Sequence, residues 1–205
     1  KEKGFLPNGL ANYLILLGWS PKSDKEIFTP DEIIKIFDGE KINKSGARFD
    51  FEKAVWINQK HIQNSDSASL LNQFPEFFEN ISLNEKSKVS IISLVKERAS
   101  LLTDFEKESD FINKPLSYDS NSISKLNRAN SVLILKHLCD CLNQKNFVKE
   151  NWKLEIINWG KKKGIAPREI MQTIRVGLVG SLNGPDLVSI YSLIGEKAFL
   201  DRVKS

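Results

Sequence analysis

Side chains that could carry out catalysis are few in this sequence. Four carboxylates, Asp104, Glu106, Glu108 and Asp110, could supply acid–base chemistry, but they occur at every second position. On a helix that spacing spreads them around the axis, so we interpret them as solvated surface. The sequence also lacks a Gly-rich phosphate loop, a Gly-x-Ser-x-Gly motif and a His-Glu-x-x-His motif. No catalytic residue is therefore predicted.

Residues that bind zinc in proteins are equally sparse. His61 and His137 have no Cys or His at ligand spacing, whereas a zinc site needs three or four ligands. Cys139 and Cys141 are one residue apart in a helical pattern, where a disulfide between them would be strained. We expect no metal site and no disulfide, and a reduced, cytosolic compartment is the simpler interpretation.

Positive charge is the property most suited to binding a ligand. The net charge of +4 is modest but uneven, because the segment Lys145–Arg175 holds eight Lys or Arg against three Asp or Glu. Much of this excess lies in the run Lys161, Lys162 and Lys163. Cations favour the last turn of a helix, so the run is either a solvated helix end or a patch that contacts nucleic-acid phosphates. Composition leaves both open.

The elements that must position these residues are helical in pattern. Apolar residues recur at helical spacing, and Thr29-Pro30-Asp31-Glu32 is a helix-start signal, with Asp50 a similar cap. Polar segments at Asn64–Ser69 and Ser117–Ser122 predict linkers, and Lys161–Pro167 predicts a basic turn. One or two short helices are predicted over Leu101–Phe111. The other predicted helices are Pro7–Trp19, one from Pro30, Phe51–Ile62, Ala68–Glu79, Glu85–Ala99, Ser122–Asn143, Val148–Trp159, Arg168–Val179, Leu187–Ile194 and Lys197–Lys204.

Composition excludes several protein classes. The 205 residues are 40% hydrophobic and 27% charged, with no apolar run near twenty residues, so a membrane span is excluded. No basic segment followed by an apolar stretch opens the chain, which argues against secretion. Because the chain does not begin with Met and runs at once into a helix, we expect a piece of a longer protein. The predicted fold is all-α, and residue patterns alone indicate a mildly basic helical module that binds something.

Four segments carry a resemblance to a known family. They are Lys3–Pro7 with Asn12–Leu14 and Leu17–Ser20; Ala47–Lys53 with Trp56–Asn58; Gln172–Gly180; and Gly184–Leu187 with Leu193–Gly195. The first resembles the segment after the Lys-Met-Ser-Lys-Ser-type loop of bacterial-type glutamyl-tRNA synthetases, a class I family, and the second is similar to that family's A-x-F-D-x-x-K-x-x-W-x-N stretch. The third resembles Q-P-x-R-x-A-x-x-G, with Thr173 and Gly177 in place of the usual Pro and Ala, and the fourth resembles x-P-x-L…L-L-G.

The resemblance implies an architecture and a parent protein. Residues 1–64 would end the stem-contact region, and 65–115 and 116–205 would form two helical anticodon-binding subdomains. The parent would be a glutamate–tRNA ligase that uses ATP and magnesium in a catalytic domain outside this chain, while the fragment itself needs no cofactor. The implied partner is tRNA(Glu), bound by a monomer in the cytoplasm or an organelle matrix. The alternative is a stand-alone helical RNA-binding or protein-interaction module without an enzymatic parent.

Candidate tRNA-binding residues follow from the same resemblance. Proteins read single-stranded bases by stacking and by contacts to base edges. An isolated helix-surface Arg more often forms a salt bridge, but Arg175 matches the position at which the family presents an Arg to the anticodon loop. Free N–H groups at the following helix start suit a base edge or phosphate. The implied anticodon contacts are Gln172, Arg175, Gly184, Pro185 and Leu187, and Lys161, Lys162 and Lys163 are candidates for backbone phosphates.

Arg98 is a candidate for discrimination between tRNAs. In family members that reject glutamine tRNA, an Arg on the helix that resembles Glu85–Ala99 faces the third anticodon base, which is cytosine in glutamate tRNA and guanine in glutamine tRNA. A guanidinium carries only donors, and the Watson–Crick edge of cytosine offers two acceptors. A solvent-facing Arg or an ion pair within the helix is an equally open interpretation.

The four tryptophans are predicted to be structural. Trp152 and Trp159 are seven residues apart and share one helix face, where core packing is more common than a platform for stacked bases. Trp19 and Trp56 are interpreted in the same way.

Overall fold

The computed structural model describes residues 3–21, 23–43, 46–73, 83–144 and 147–204. These ranges form eleven α-helices and short 3-10 turns, and the β-type pairing within them is a single bridge between Trp19 and Ile42. The predicted all-α fold is confirmed. The chain divides into two compact units, 1–109 and 110–205, and the three-part division inferred from the sequence stays a prediction. Within the described ranges no helix is long and apolar enough to cross a membrane.

The described residues of the first unit form six helices, and several of these helices start at local sequence signals. Thr29 and Glu32 form a reciprocal capping box ahead of the second helix, and the Asp50 carboxylate accepts from Lys53 N at the start of the third. Tyr13, Ala54 and Ile57 form a buried cluster between the first and third helices. The helices are α1 (Pro7–Gly18), α2 (Pro30–Ile36), α3 (Phe51–Asn64), α4 (Ser67–Gln73), α5 (Glu85–Val95) and α6 (Asp104–Glu108).

Two buried asparagines hold the first unit together. Asn58 Oδ1 accepts from Leu6 N at 2.8 Å, and its Nδ2 donates to Ser100 O at 2.7 Å. Asn12 Nδ2 donates to Glu26 O, and its Oδ1 accepts from Phe28 N at 2.9 Å. Both side chains are fully buried, so their hydrogen bonds replace those that water would otherwise provide. Asn12 and Asn58 each belong to a segment that carries the family resemblance. Both residues therefore have a structural role in the first unit.

Three predictions in the first unit are wrong in detail. The linker expected at Asn64–Ser69 is two residues long, because α3 continues to Asn64 and α4 begins at Ser67. The helix predicted to reach Ala99 ends at Val95 and continues as a turn. Trp56 is 41% exposed and not core. The end of the predicted helix Ala68–Glu79, residues 74–79, lies outside the described residues.

The second unit contains α7 (Ser120–Ser124), α8 (Arg128–Leu142), α9 (Trp152–Lys162), α10 (Pro167–Val179) and α11 (Leu187–Val203). The predicted end of a helix at Gly195 is confirmed, because Gly195 interrupts α11 with φ 77° and ψ 164°. The single helix predicted over Ser122–Asn143 is wrong: Asn127 accepts from Asn130 N and starts a separate helix. The helix predicted from Val148 begins as a 3-10 turn and becomes α-helical at Trp152.

A buried arginine connects the end of α10 to the start of the second unit. Arg202 is 5% exposed, and its guanidinium donates to the carbonyls of Phe111, Ile112 and Leu178. Burial lowers the pKa of Arg202, and the three carbonyls supply the acceptors that a buried guanidinium requires. Sequence reasoning did not identify this residue.

Candidate nucleic-acid interface

Arg175 lies on α10 and reaches the turn before α11. Its Nη1 donates to Pro185 O, ten residues later in the chain, and its side chain is only partly exposed. The structure thus brings together Arg175, Gly184 and Pro185, three of the residues implied by the family resemblance. This contact gives Arg175 a role in holding the turn in place.

Gly184 is required where the turn passes the guanidinium. A β-carbon at this position would lie 3.1 Å from Arg175 Nη1 and 3.4 Å from Val179 Cγ2, and Gly184 has a φ of 154°. Residues with a side chain rarely adopt this backbone conformation, whereas Gly does so without steric cost. Gly184 therefore lets the backbone approach Arg175 closely.

The start of α11 differs from the expectation of free N–H groups. The Asp186 carboxylate accepts from Val188 N at 2.9 Å and from Ser189 N at 3.1 Å, so the helix caps itself. Burial raises the pKa of Asp186, but the backbone N–H groups and Lys153, whose Nζ lies 3.3 Å from its Oδ1, outweigh burial, and the net shift is downward. An ionised carboxylate there would repel a phosphate. The prediction of free N–H groups at the start of α11 is therefore wrong at Val188 and Ser189.

Leu187 and Gln172 flank this turn. Leu187 is 2% exposed, so in this structure a contact with a base would come from its backbone. Gln172 is partly exposed and precedes Arg175 by three residues, which places both on one face of α10.

Lys161, Lys162 and Lys163 are all exposed. The basic turn predicted from Lys161 starts later, because α9 runs to Lys162 and only Lys163 lies beyond the helix. Within the described part of the chain none of the three forms an ion pair. Lysines at the carboxyl end of a helix interact favourably with the helix dipole. The same charges would equally attract a polyanion.

Arg98 lies in the first unit, in the turn after α5. Its Nε donates to Glu108 Oε2 at 2.8 Å, and the Arg98 side chain is 35% exposed. The partner is ten residues away, not within the helix as the ion-pair interpretation supposed. Glu108 and Asp104, whose Oδ2 accepts from Ser100 N and Leu101 N, are bonded within the unit, so they are not merely solvated surface.

Other side chains of chemically reactive types pack within the fold. His137 stacks on Trp159 with ring centroids 4.3 Å apart, and its Nε2 lies 3.3 Å from Cys141 Sγ. Cys139 and Cys141 are free thiols, and burial raises the pKa of both. Among the described residues no three His, Cys, Asp or Glu side chains are grouped to hold a metal.

Charge separates the two units. Residues 110–205 carry fifteen Lys or Arg against nine Asp or Glu, a net charge of +6, whereas residues 1–109 carry fifteen against seventeen, a net charge of −2. The unit that contains the Arg175 turn and the lysine run is therefore the one suited to a polyanionic partner.

Two family models match this chain. Residues 68–205 match the family described as anticodon binding domain, and residues 1–56 match the family described as tRNA synthetases class I (E and Q), catalytic domain. A glutamate–tRNA ligase of Porphyromonas gingivalis is 35% identical over 209 residues, which cover 100% of this chain and 41% of that protein. A glutamate–tRNA ligase of Flavobacterium johnsoniae is 34% identical over 208 residues with the same coverage.

A solved structure gives the same result. The crystal structure of a glutamate tRNA ligase from Elizabethkingia meningosepticum in complex with its amino acid superimposes with a TM-score of 0.87 at 33% identity, over 98% of this chain and 41% of that one. The chain thus spans about two fifths of the length of the relatives it matches. The resemblance to glutamyl-tRNA synthetases inferred from the sequence segments is confirmed.

Proposed function

Because this chain belongs to the anticodon binding domain family, we propose that it binds tRNA and reads the anticodon as part of a glutamate–tRNA ligase. The partner is tRNA(Glu), bound by a monomer in the cytoplasm. ATP and magnesium serve the catalytic reaction of such a ligase, and we expect this chain to bind tRNA without either. The similarity to ligases over the whole chain favours this function over a stand-alone helical module.

The observation that carries the proposal is the Arg175 turn in the basic unit. Arg175 donates to Pro185 O, and a guanidinium fixed in this way presents its donors in a defined direction. An anticodon base that is splayed out of its loop is recognised through such fixed polar groups. The remaining charge of the unit supplies affinity for the RNA backbone without sequence preference.

A binding titration tests the function. The chain is titrated with tRNA(Glu) and an unrelated tRNA at two salt concentrations. We expect tighter binding of tRNA(Glu) at both, because base contacts add to the salt-dependent backbone term. Equal affinity for both tRNAs would contradict anticodon reading. The chain alone should not activate glutamate.

Replacing Lys161, Lys162 and Lys163 together by Ala tests the phosphate contacts. Binding of every tRNA should weaken by a similar factor, and the slope of log K against log salt should fall by about two to three if each Lys neutralises one phosphate. The matched control is the triple Lys→Arg variant, which keeps the charge and should bind as the unaltered chain does. A selective loss for tRNA(Glu) would instead assign these lysines to base reading.

Arg98→Gln tests discrimination in the parent enzyme. If Arg98 faces the third anticodon base, a guanine at that position places its hydrogen-bond donors opposite the donors of the guanidinium. These groups stay unpaired, which weakens binding of glutamine tRNA by roughly 1–3 kcal/mol. The variant should therefore narrow the ratio of charging rates between tRNA(Glu) and glutamine tRNA. Lys107→Gln, at an exposed position of α6, removes a charge nearby and should leave the ratio unchanged. Equal ratios in Arg98→Gln and the unaltered enzyme would exclude Arg98 from the site.

A further inference from the structure

One end of the second unit gathers the start of α8, the end of α9 and the start of α10. Asn130 Nδ2, in the first turn of α8, donates to Glu169 Oε1 at 2.7 Å, and Glu169 is in the first turn of α10. Gly160, in the last turn of α9, packs so closely on Ile170 that a β-carbon there would overlap with Ile170 Cδ1. These contacts place the three helix ends on one surface.

That surface is strongly basic. Arg128 is the first residue of α8 and Arg168 is the second residue of α10, and both are exposed, as are Lys161, Lys162 and Lys163 at the end of α9. Within the described part of the chain, none of these five cations forms an ion pair. Glu169, the acid beside Arg168, is already bonded to Asn130. The Glu169 carboxylate keeps its charge when it accepts from a neutral amide, so these residues carry five positive charges against one negative charge, and that excess attracts an anionic partner.

One face of α10 connects this basic surface to the turn at Gly184 and Pro185 that Arg175 contacts. Arg168, Gln172 and Arg175 are spaced i, i+4 and i+7, so they lie along one face of α10. The other side of α10 is buried through Ile170, Thr173 and Ile174. A rise of about 1.5 Å per residue puts Arg168 roughly 10 Å along the helix from Arg175. The polar face of α10 is therefore a continuous path between the base-reading turn and the basic end.

We propose that Arg128 and Arg168 bind backbone phosphates of the same RNA strand whose base Arg175 reads. This rests on the proposed function, and it adds two phosphate-binding residues and a direction for the strand along α10. The two arginines extend the Lys161–Lys163 run into one anionic-ligand surface. Their contacts are independent of base identity, because phosphates position a nucleic acid without specifying its sequence.

The test compares the double variant Arg128→Gln, Arg168→Gln with a control of equal charge change. The control is Lys197→Gln, Lys204→Gln, at two exposed positions, one within α11 and one immediately after it. Lys197 follows Glu196, which pairs with Lys149 just before α9, so it lies toward the opposite end of that helix from Lys161. Each protein is titrated across salt with full-length tRNA(Glu) and with its isolated anticodon stem-loop.

The arginine variant should lose about tenfold in affinity at low salt, and its salt slope should fall by about 1.4 for two single-strand phosphates. The loss should be the same for the stem-loop as for the full tRNA, because the strand beside the anticodon is the ligand. The control should keep the affinity of the unaltered chain. If the arginine variant matches the control, or loses affinity for the full tRNA but not the stem-loop, the strand path along α10 is wrong. Failure of the unaltered chain itself to bind tRNA would overturn the proposed function instead.

Discussion

Replacing Arg202 by Met should lower the melting temperature of the second unit by ten degrees or more. The substitution keeps an unbranched side chain in the core but removes the donors to the carbonyls of Phe111, Ile112 and Leu178. An unsatisfied buried acceptor costs about 1–3 kcal/mol, so roughly 3 kcal/mol in total is a conservative expectation. For a unit of this size each kcal/mol corresponds to about 4–8 °C.

Thermal unfolding followed by circular dichroism measures this effect. Arg202→Lys should lose an intermediate amount, because one ammonium cannot reach three carbonyls with the geometry of a guanidinium. Arg168→Met, an exposed arginine on α10, is the matched control and should change stability by at most about 0.5 kcal/mol. If Arg202→Met and the control have the same melting temperature, the buried hydrogen bonds of Arg202 do not stabilise the unit.

Arg175→Ala should weaken binding of tRNA(Glu) by roughly 1–3 kcal/mol, the size of one charge-assisted contact at a base edge. Because Arg175 donates to Pro185 O, stability should also fall, by about 1 kcal/mol for one hydrogen bond. A surface Arg without this hydrogen bond would contribute little to stability. Affinity is measured at a temperature below the melting transition of the variant, and the melting temperature is then measured on the same samples.

Arg175→Lys separates the two roles. A Lys keeps the charge but not the planar fork of donors, so it should restore attraction to phosphates and not the preference for tRNA(Glu). If the preference survives in both variants while the melting temperature falls, Arg175 only holds the turn.

Local signals in the sequence predicted the helix starts well. Pro30 follows a capping Thr29, Asp50 caps α3 and Gly195 interrupts α11 as expected. These features depend on hydrogen bonds within a few residues. The break between α7 and α8 was not predicted, because only the Asn127 cap marks the boundary.

Contacts between distant residues could not be predicted from pattern. Arg202 binds carbonyls about ninety residues earlier in the chain, and nothing near Arg202 in the sequence distinguishes it from a helix-surface Arg. The family resemblance named Arg175 and Pro185 separately, whereas their hydrogen bond is seen only in the structure. An Asp before a helix is typical of a capping residue, and Asp186 has that role at α11, whereas the resemblance implied roles only for its neighbours Gly184, Pro185 and Leu187.

The most direct test of anticodon reading uses two anticodon stem-loops that differ in one base. Each is titrated against this chain at moderate salt, one with cytosine at the third anticodon position and the other with guanine. Backbone charge is identical in both, so any difference in affinity comes from base contacts. We predict that the cytosine stem-loop binds about tenfold tighter, the equivalent of about 1.4 kcal/mol. Equal affinity for the two stem-loops would contradict recognition of this base by the chain.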